Sequence, residues 1–189
     1  MLVVGASGLV GSVLVERARE RGMQVAGTYN TTQPSLDVPL YQLDIREQTA
    51  VRDVFDQVQP DVVVNCAAVT DVDECEANPE TARAVNTKGA KTLAESCSER
   101  GGRFVQLATD YVFGGDQRTP YHEDDDPNPG QVYGQSKLNG EQATLQAAPG
   151  ALVVRVSFVF GDHGATNERT GFPAWVLGRA RAGQQVPLY

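Results

Sequence analysis

Short apolar segments alternate with amphipathic stretches along the chain, and this pattern predicts its secondary structure. Apolar runs of about four to eight residues are typical of strands, whereas apolar residues spaced three and four apart are typical of helices. Residues 61–68 are apolar at mostly consecutive positions, as in a strand buried on both faces. The predicted strands cover residues 2–5, 24–29, 39–45, 61–68, 103–108 and 151–156.

Helical patterns occupy the segments between most of these strands. Gly22 follows the first pattern and Pro60 follows the second, and both residue types end helices. Regular alternation of strand and helix predicts an α/β fold, with a doubly wound parallel sheet of the Rossmann type and helices on both faces. The predicted helices cover residues 9–21, 48–58, 79–85, 88–100, 132–146 and 173–182.

Composition narrows the class of protein. The chain has 189 residues, of which 41% are hydrophobic, and a net charge of −8, which fits one globular domain and argues against nucleic acid as a partner. No apolar run approaches the ~20 residues of a membrane span. The three cysteines, together with His122 and His163, lack the spacing of a metal site. We therefore predict no metal and no membrane partner, and a cytoplasmic protein with reduced thiols.

The make-up of the charge is unusual. Only three lysines occur among the 16 basic residues, against 24 acidic residues. Such a surface keeps a protein dispersed in concentrated salt, so a salt-rich environment is one hypothesis and a GC-rich genome is the other. We interpret the acidic run at residues 123–126 as a solvated loop, because the whole chain is acidic.

A glycine-rich turn follows the first predicted strand and opens the first predicted helix. Its sequence is Gly5-Ala-Ser7-Gly8-Leu-Val-Gly11, in which glycines permit a tight turn and a close approach to a pyrophosphate. A helix N-terminus also favours the negative charge of that group. The spacing differs from the more familiar G-x-G-x-x-G. The turn nevertheless predicts a dinucleotide site, and residues 1–189 are expected to form one dinucleotide-binding domain.

Further candidate residues lie where predicted strands end, which is where open α/β sheets bind ligands. Asp44 and Ile45 could bracket an adenine ring, although a helix cap is the alternative for Asp44. The small side chains of Ala67 and Ala68 would let a ribose or a nicotinamide approach the backbone. The second strand ends at residues 28–30 without an acidic residue or a following arginine, so NAD and NADP both remain open.

Tyr133 and Lys137 form the main catalytic candidate. Residues four apart share one face of a helix, so the lysine ammonium is expected to lower the pKa of the phenol. A phenol tuned in this way can protonate the oxygen formed when a carbonyl is reduced. Thr109, at the end of the fifth strand, could hydrogen-bond the same oxygen. Tyr and Lys also fall at this spacing by chance in many helices, so the other segments supply much of the support.

Taken together, these segments resemble the extended short-chain dehydrogenases/reductases. Within that family, Thr109-Asp-Tyr-Val-Phe113 and the Pro120-Tyr-His-Glu123 segment resemble the dTDP-4-dehydrorhamnose reductase branch. The resemblance implies reduction of a nucleotide-linked 4-keto-6-deoxysugar by NADH or NADPH, with a nucleotide sugar as substrate. It also leaves open a nucleotide-sugar epimerase or dehydratase, and a non-catalytic NAD(P)-binding subunit like that of methionine adenosyltransferase.

The resemblance implies a role for each matching position. Tyr133 would donate the proton, Lys137 would hold the nicotinamide ribose, and Thr109 would polarise the ketone. Thr109, Asp110 and Phe158 would contact the sugar, with Phe158 replacing a tryptophan that is common in the branch. The implied cofactor contacts are Gly5, Ser7, Gly8, Leu9, Val10, Gly11, Asp44, Ile45, Ala67, Ala68, Val69, Tyr133 and Lys137.

Members of the branch carry a small substrate-binding lobe after the dinucleotide-binding domain. We expect residues from about 157 to 189 to begin the connection to that lobe, which is largely absent from this sequence. We also expect that the chain can pair with a second copy as a homodimer.

Overall fold

The computed structural model describes residues 1–162, 169–170 and 172–186. Six strands form one parallel sheet in the order β3-β2-β1-β4-β5-β6, which confirms the predicted doubly wound α/β fold. A separate antiparallel pair, β7 and β8, was not predicted. The strands are β1 Leu2–Val4, β2 Ala26–Tyr29, β3 Leu40–Gln42, β4 Val62–Asn65, β5 Arg103–Thr109, β6 Leu152–Val156, β7 Gly161–Asp162 and β8 Arg169–Thr170.

The helices connect these strands and pack on the sheet. None of those in the described ranges is both long and apolar enough to cross a membrane. The predicted break near residue 86 is wrong, because residues 83–89 continue as one π-helical segment between α4 and α5. The helices are α1 Leu9–Glu20, α2 Gln48–Val58, α3 Val72–Ala77, α4 Pro79–Ala82, α5 Ala90–Ser98, α6 Val132–Ala147 and α7 Phe172–Arg181.

Residues of β1 alternate between the two faces of the sheet, and each face has its own apolar core. Leu2 and Val4 belong to the cluster that includes Phe55 of α2 and Leu93 of α5. Val3 belongs to the cluster on the α1 side. Fully burying an aliphatic or aromatic side chain contributes about 1.5–3 kcal/mol, so both faces fix the central strands firmly.

Strand order reverses between β1 and β4. The chain builds β2 and β3 on one side of β1, and then crosses to build β4, β5 and β6 on the other side. The connections leaving β1 and β4 therefore diverge and open a crevice at their carboxyl ends. This crevice holds the candidate site.

Candidate active site

The glycine-rich turn packs directly against the end of β4. Gly5 has a left-handed backbone, with φ of 80°, and a Cβ there would lie 2.8 Å from the main-chain nitrogen of Ala67. A Cβ on Gly11 would lie 2.2 Å from the carbonyl oxygen of Gly5. The N–H of Gly8 donates to that same carbonyl at 3.1 Å and closes the turn. Both Gly5 and Gly11 are therefore required by the local geometry.

A groove of about 250 Å³ crosses the carboxyl ends of β1 to β4. The Thr28 hydroxyl accepts a hydrogen bond from the N–H of Gly5 at 3.3 Å, which ties the turn to β2. Residues 9–11 form the first turn of α1 and are not among the described residues that line the groove. The predicted cofactor residues that line it are Gly5, Ser7, Gly8, Asp44, Ile45, Ala67, Ala68 and Val69.

Several groove residues were not singled out from the sequence. They lie at the ends of β2, β3 and β4, so the strand-end argument, applied to every strand, would have found most of them. Cys66 is one of these residues, and burial raises the pKa of its thiol to about 12. The unassigned lining residues include Thr28, Tyr29, Asn30, Leu43 and Cys66.

Asp44 lies on the groove wall and is paired with Arg46. The guanidinium Nε of Arg46 donates to the two carboxylate oxygens at 2.9 and 3.0 Å. This hydrogen-bonded contact lowers the pKa of the Asp44 carboxyl, so the group is ionised and remains an acceptor at neutral pH. The arginine follows β3 rather than β2, which is why inspection of the residues after β2 did not reveal it.

Thr109 and Tyr133 meet across the gap between β5 and α6. Thr109 is the last residue of β5 and Tyr133 lies in the first turn of α6, and the Thr109 side chain lies close enough to the phenol to lower its pKa. The ring of Tyr111 packs edge-on against that of Tyr133, with centroids 5.6 Å apart. A Cβ on Gly134 would lie 2.2 Å from the carbonyl oxygen of Tyr111, so a glycine is needed for this close approach.

Lys137 lies one helical turn beyond Tyr133 and is buried. Its ammonium donates to the carbonyl of Leu107 on β5 at 2.7 Å. Burial lowers the pKa of Lys137 to about 8, while the nearby Glu141 carboxylate raises it. Lys137 also interacts electrostatically with Cys66 on the groove wall. The Lys137 ammonium therefore lies near the groove wall.

The expected effect of Lys137 on Tyr133 is wrong. The pKa of Tyr133 is raised, because burial of the phenol disfavours its charged form. The nearby Thr109 side chain acts in the opposite direction and lowers the pKa of the phenol. Because the Lys137 ammonium donates to the carbonyl of Leu107, Thr109 rather than Lys137 favours ionisation of Tyr133 in this structure.

Asn86 is a site residue that the sequence reasoning missed. Its amide nitrogen donates to the carbonyl of Val69 and to the hydroxyl of Ser136, both at 2.9 Å. Its amide oxygen accepts from the N–H of Val69 at 2.9 Å. Asn86 lies in the π-helical segment, and such segments are frequent at functional sites. The side chain therefore fixes the groove wall at Val69 to helix α6.

The side chains of Asp110 and Phe158 are exposed. An Asp110 carboxylate oxygen accepts from the Thr109 hydroxyl at 3.3 Å. The Phe158 ring is 59% exposed and lies 6.2 Å from that of Phe160. His122 is in the acidic loop, where its main-chain N–H donates to the Asp125 carboxylate. The other histidine considered in the sequence, at position 163, lies outside the described residues.

The model of one protein family, described as the RmlD substrate binding domain, matches residues 1–188. Among curated proteins, the chain is 47% identical over 187 residues to the "Probable low-salt glycan biosynthesis reductase" of Haloferax volcanii. It is 41% identical over 161 residues to the dTDP-4-dehydrorhamnose reductase of Mycolicibacterium smegmatis. The two alignments cover 99% and 85% of this chain, but only 62% and 46% of the relatives.

One solved structure is also similar to this chain. The dTDP-4-dehydrorhamnose reductase of Bacillus anthracis, in complex with NADP, is 29% identical and matches this chain with a TM-score of 0.79. The match covers 96% of this chain and 59% of the other. The chain thus spans about half to two thirds of the length of the proteins that it matches.

Proposed function

This chain belongs to the family of the RmlD substrate binding domain, and on that premise we propose that it reduces a nucleotide-linked 4-keto-6-deoxysugar with NADH or NADPH. The preferred substrate is dTDP-4-dehydrorhamnose, and the product is then dTDP-L-rhamnose. One observation carries the proposal. Thr109, Tyr133 and the buried Lys137 come together at β5, which neighbours β4 and the groove that begins at a glycine-rich turn.

The donor set of the groove fits a nicotinamide dinucleotide. Helix α1 follows Gly8, which provides no side-chain cap, so the first N–H groups of the helix are available to a pyrophosphate. The ionised Asp44 carboxylate can accept from an adenine amino group at the far end of the groove. Ala67 and Ala68 present small side chains beside the nicotinamide half. The nicotinamide supplies the hydride when it is bound.

The residues of the chain supply the proton and the orientation of the substrate. Thr109 and Tyr133 hydrogen-bond the ketone oxygen, and Tyr133 transfers its proton as the oxygen gains charge. The raised pKa of Tyr133 keeps the phenol protonated before the reaction, as a proton donor requires. Lys137 would hold the nicotinamide ribose. Asp110 and Phe158 contact the sugar.

Nucleotide binding and turnover test the proposal separately. Binding is measured by titrating the chain with NADH and NADPH and following the nucleotide fluorescence. Turnover is measured as oxidation of the reduced nucleotide in the presence of dTDP-4-keto-6-deoxy-L-mannose. One nucleotide oxidised for each sugar reduced supports a reductase. A retained and recycled NAD would indicate an epimerase instead, and binding without turnover would indicate a non-catalytic subunit.

A further inference from the structure

Arg155 lies on β6, immediately beside the strand end that carries Thr109. In the parallel register, Arg155 pairs with Ala108 and the next residue, Val156, pairs with Thr109. The Arg155 side chain makes three contacts, one with helix α6 and two with the loop that precedes it. None of these contacts was predicted from the sequence.

The first contact is an ion pair with Glu141 on α6. Arg155 Nε donates to the two Glu141 carboxylate oxygens at 3.1 and 3.2 Å, and Nη2 donates to Oε2 at 2.8 Å. The exposed fractions of the two side chains are 23% for Arg155 and 4% for Glu141. A carboxylate as buried as Glu141 requires such a partner. Because Glu141 follows Lys137 by one helical turn, the pair fixes the catalytic part of α6 against β6.

The second contact is a three-layer stack. The Arg155 guanidinium lies 5.1 Å from the ring centroid of Phe113, within the range of a cation–π interaction. The Tyr121 ring stacks on the Phe113 ring, with the two centroids 4.4 Å apart and an angle of 10° between the two planes. The Tyr121 hydroxyl donates to Asp116 at 2.8 Å. The stack thus holds the beginning of the loop that follows Thr109 and the 3-10 turn at Asp110–Val112.

The third contact is with the backbone of the same loop. Arg155 Nη1 donates to the carbonyl oxygen of Glu123 at 3.1 Å. This loop, residues 113–131, connects the strand end at Thr109 to the first turn of α6 at Tyr133. A single guanidinium therefore contacts the loop at its start and in its middle. The same guanidinium also binds helix α6, to which the loop leads.

We propose that Arg155 is a positioning residue of the site, which fixes Thr109 and the Tyr133/Lys137 helix in one arrangement by holding loop 113–131 and Glu141 together. This proposal rests on the proposed function. Arg155 acts on Thr109 through Phe113, and on Lys137 through Glu141. Removing it frees the loop and loosens the helix that bears Lys137, while the adenosine end of the groove, on β1 to β3, is left unchanged.

Cleavage by glutamyl endopeptidase after Glu123 measures the hold on the loop, because the scissile carbonyl is the one that Arg155 binds. Three variants are compared with the wild type: Arg155→Met, the double variant Arg155→Met/Glu141→Met, which leaves no buried carboxylate without its arginine, and Phe113→Leu, which removes only the stack. We expect cleavage about tenfold faster in the first two and a smaller increase in the third, because cleavage follows the opening of the loop.

Arg100→Met is the matched control. Arg100 also pairs with a carboxylate, that of Asp56, donates to the carbonyl of Ser96 at 3.0 Å, and lies 5.8 Å from the ring centroid of Phe55. It lies on the opposite side of the molecule from the loop, beyond the end of α5. Cleavage after Glu123 is expected to be unchanged in this variant.

Nucleotide affinity separates positioning from general destabilisation. On the proposed function, NADPH would extend from Asp44 past the glycine-rich turn to Lys137, whereas ADP would not reach Lys137. We expect the double variant to bind NADPH about tenfold more weakly and ADP with unchanged affinity. The proposal is overturned by unchanged cleavage, by unchanged NADPH affinity or by equal weakening of both nucleotides in a folded variant. A wild-type chain that binds neither nucleotide overturns the proposed function instead, and this is measured first.

Discussion

The Thr109 side chain faces the Tyr133 phenol across the gap between β5 and α6, close enough to lower the pKa of that phenol. The two residues are far enough apart in sequence that only the fold brings them together. One lies at the end of a strand and the other in the first turn of a helix, so both side chains can reach one substrate oxygen.

Replacing Tyr133 by phenylalanine removes the proposed proton donor and keeps the ring that packs on Tyr111. We expect turnover to fall by about 10²–10⁴-fold, the usual contribution of an acid catalyst. NADPH affinity should change little, because the groove is lined by other residues. Steady-state kinetics and fluorescence titration measure the two effects. Tyr41→Phe, on β3, is the control, and undiminished turnover in Tyr133→Phe would remove the residue from the mechanism.

Lys137 should make stability depend on pH. Its pKa is lowered to about 8 in the folded protein, from an ordinary value of 10.5, so above pH 8 the unfolded chain binds more protons than the folded one. The free energy of unfolding should therefore rise between about pH 7 and about pH 9, by about 1 kcal/mol from this residue. Urea unfolding of the wild type and of Lys137→Met measures the difference. Parallel curves for the two proteins would contradict the lowered pKa.

Gly140 should not tolerate even a methyl group. A Cβ at this position would lie 2.2 Å from the main-chain oxygen of Asn86, where α6 crosses the π-helical segment. Gly140→Ala should lower the free energy of unfolding by about 1–3 kcal/mol, as overpacking does. Gly150→Ala is the control, since no atom lies within 4 Å of its Cβ position. Equal stabilities of the two variants, measured by urea unfolding, would show that the helices separate without cost.

The acidic surface should make the protein more stable in concentrated salt. With a net charge of −8, the folded chain repels itself, and added cations screen that repulsion. We expect a higher midpoint of thermal unfolding in molar KCl than in dilute buffer. A midpoint that is highest without salt would favour a GC-rich genome as the reason for the few lysines.

The parallel sheet could be predicted because its strands are short, apolar and separated by clear helical patterns. The spacing of Tyr133 and Lys137 likewise identified a helix face. The direction in which the pKa of Tyr133 is shifted could not be predicted in this way, because it depends on how deeply the phenol is buried. Asn86 and Arg155 were missed for a related reason. Each acts through partners that are distant in sequence, and no local pattern marks such contacts.

The reversal of strand order between β1 and β4 also allows the two sides of the site to evolve separately. Residues that would recognise the nucleotide are concentrated on β1 to β4, whereas Thr109, Tyr133 and Arg155 belong to β5, α6 and β6. Mutations on the second side can therefore change the acceptor molecule while the donor site is inherited unchanged. On the proposed function, a lineage could in this way change the sugar that it reduces and keep the same nicotinamide site.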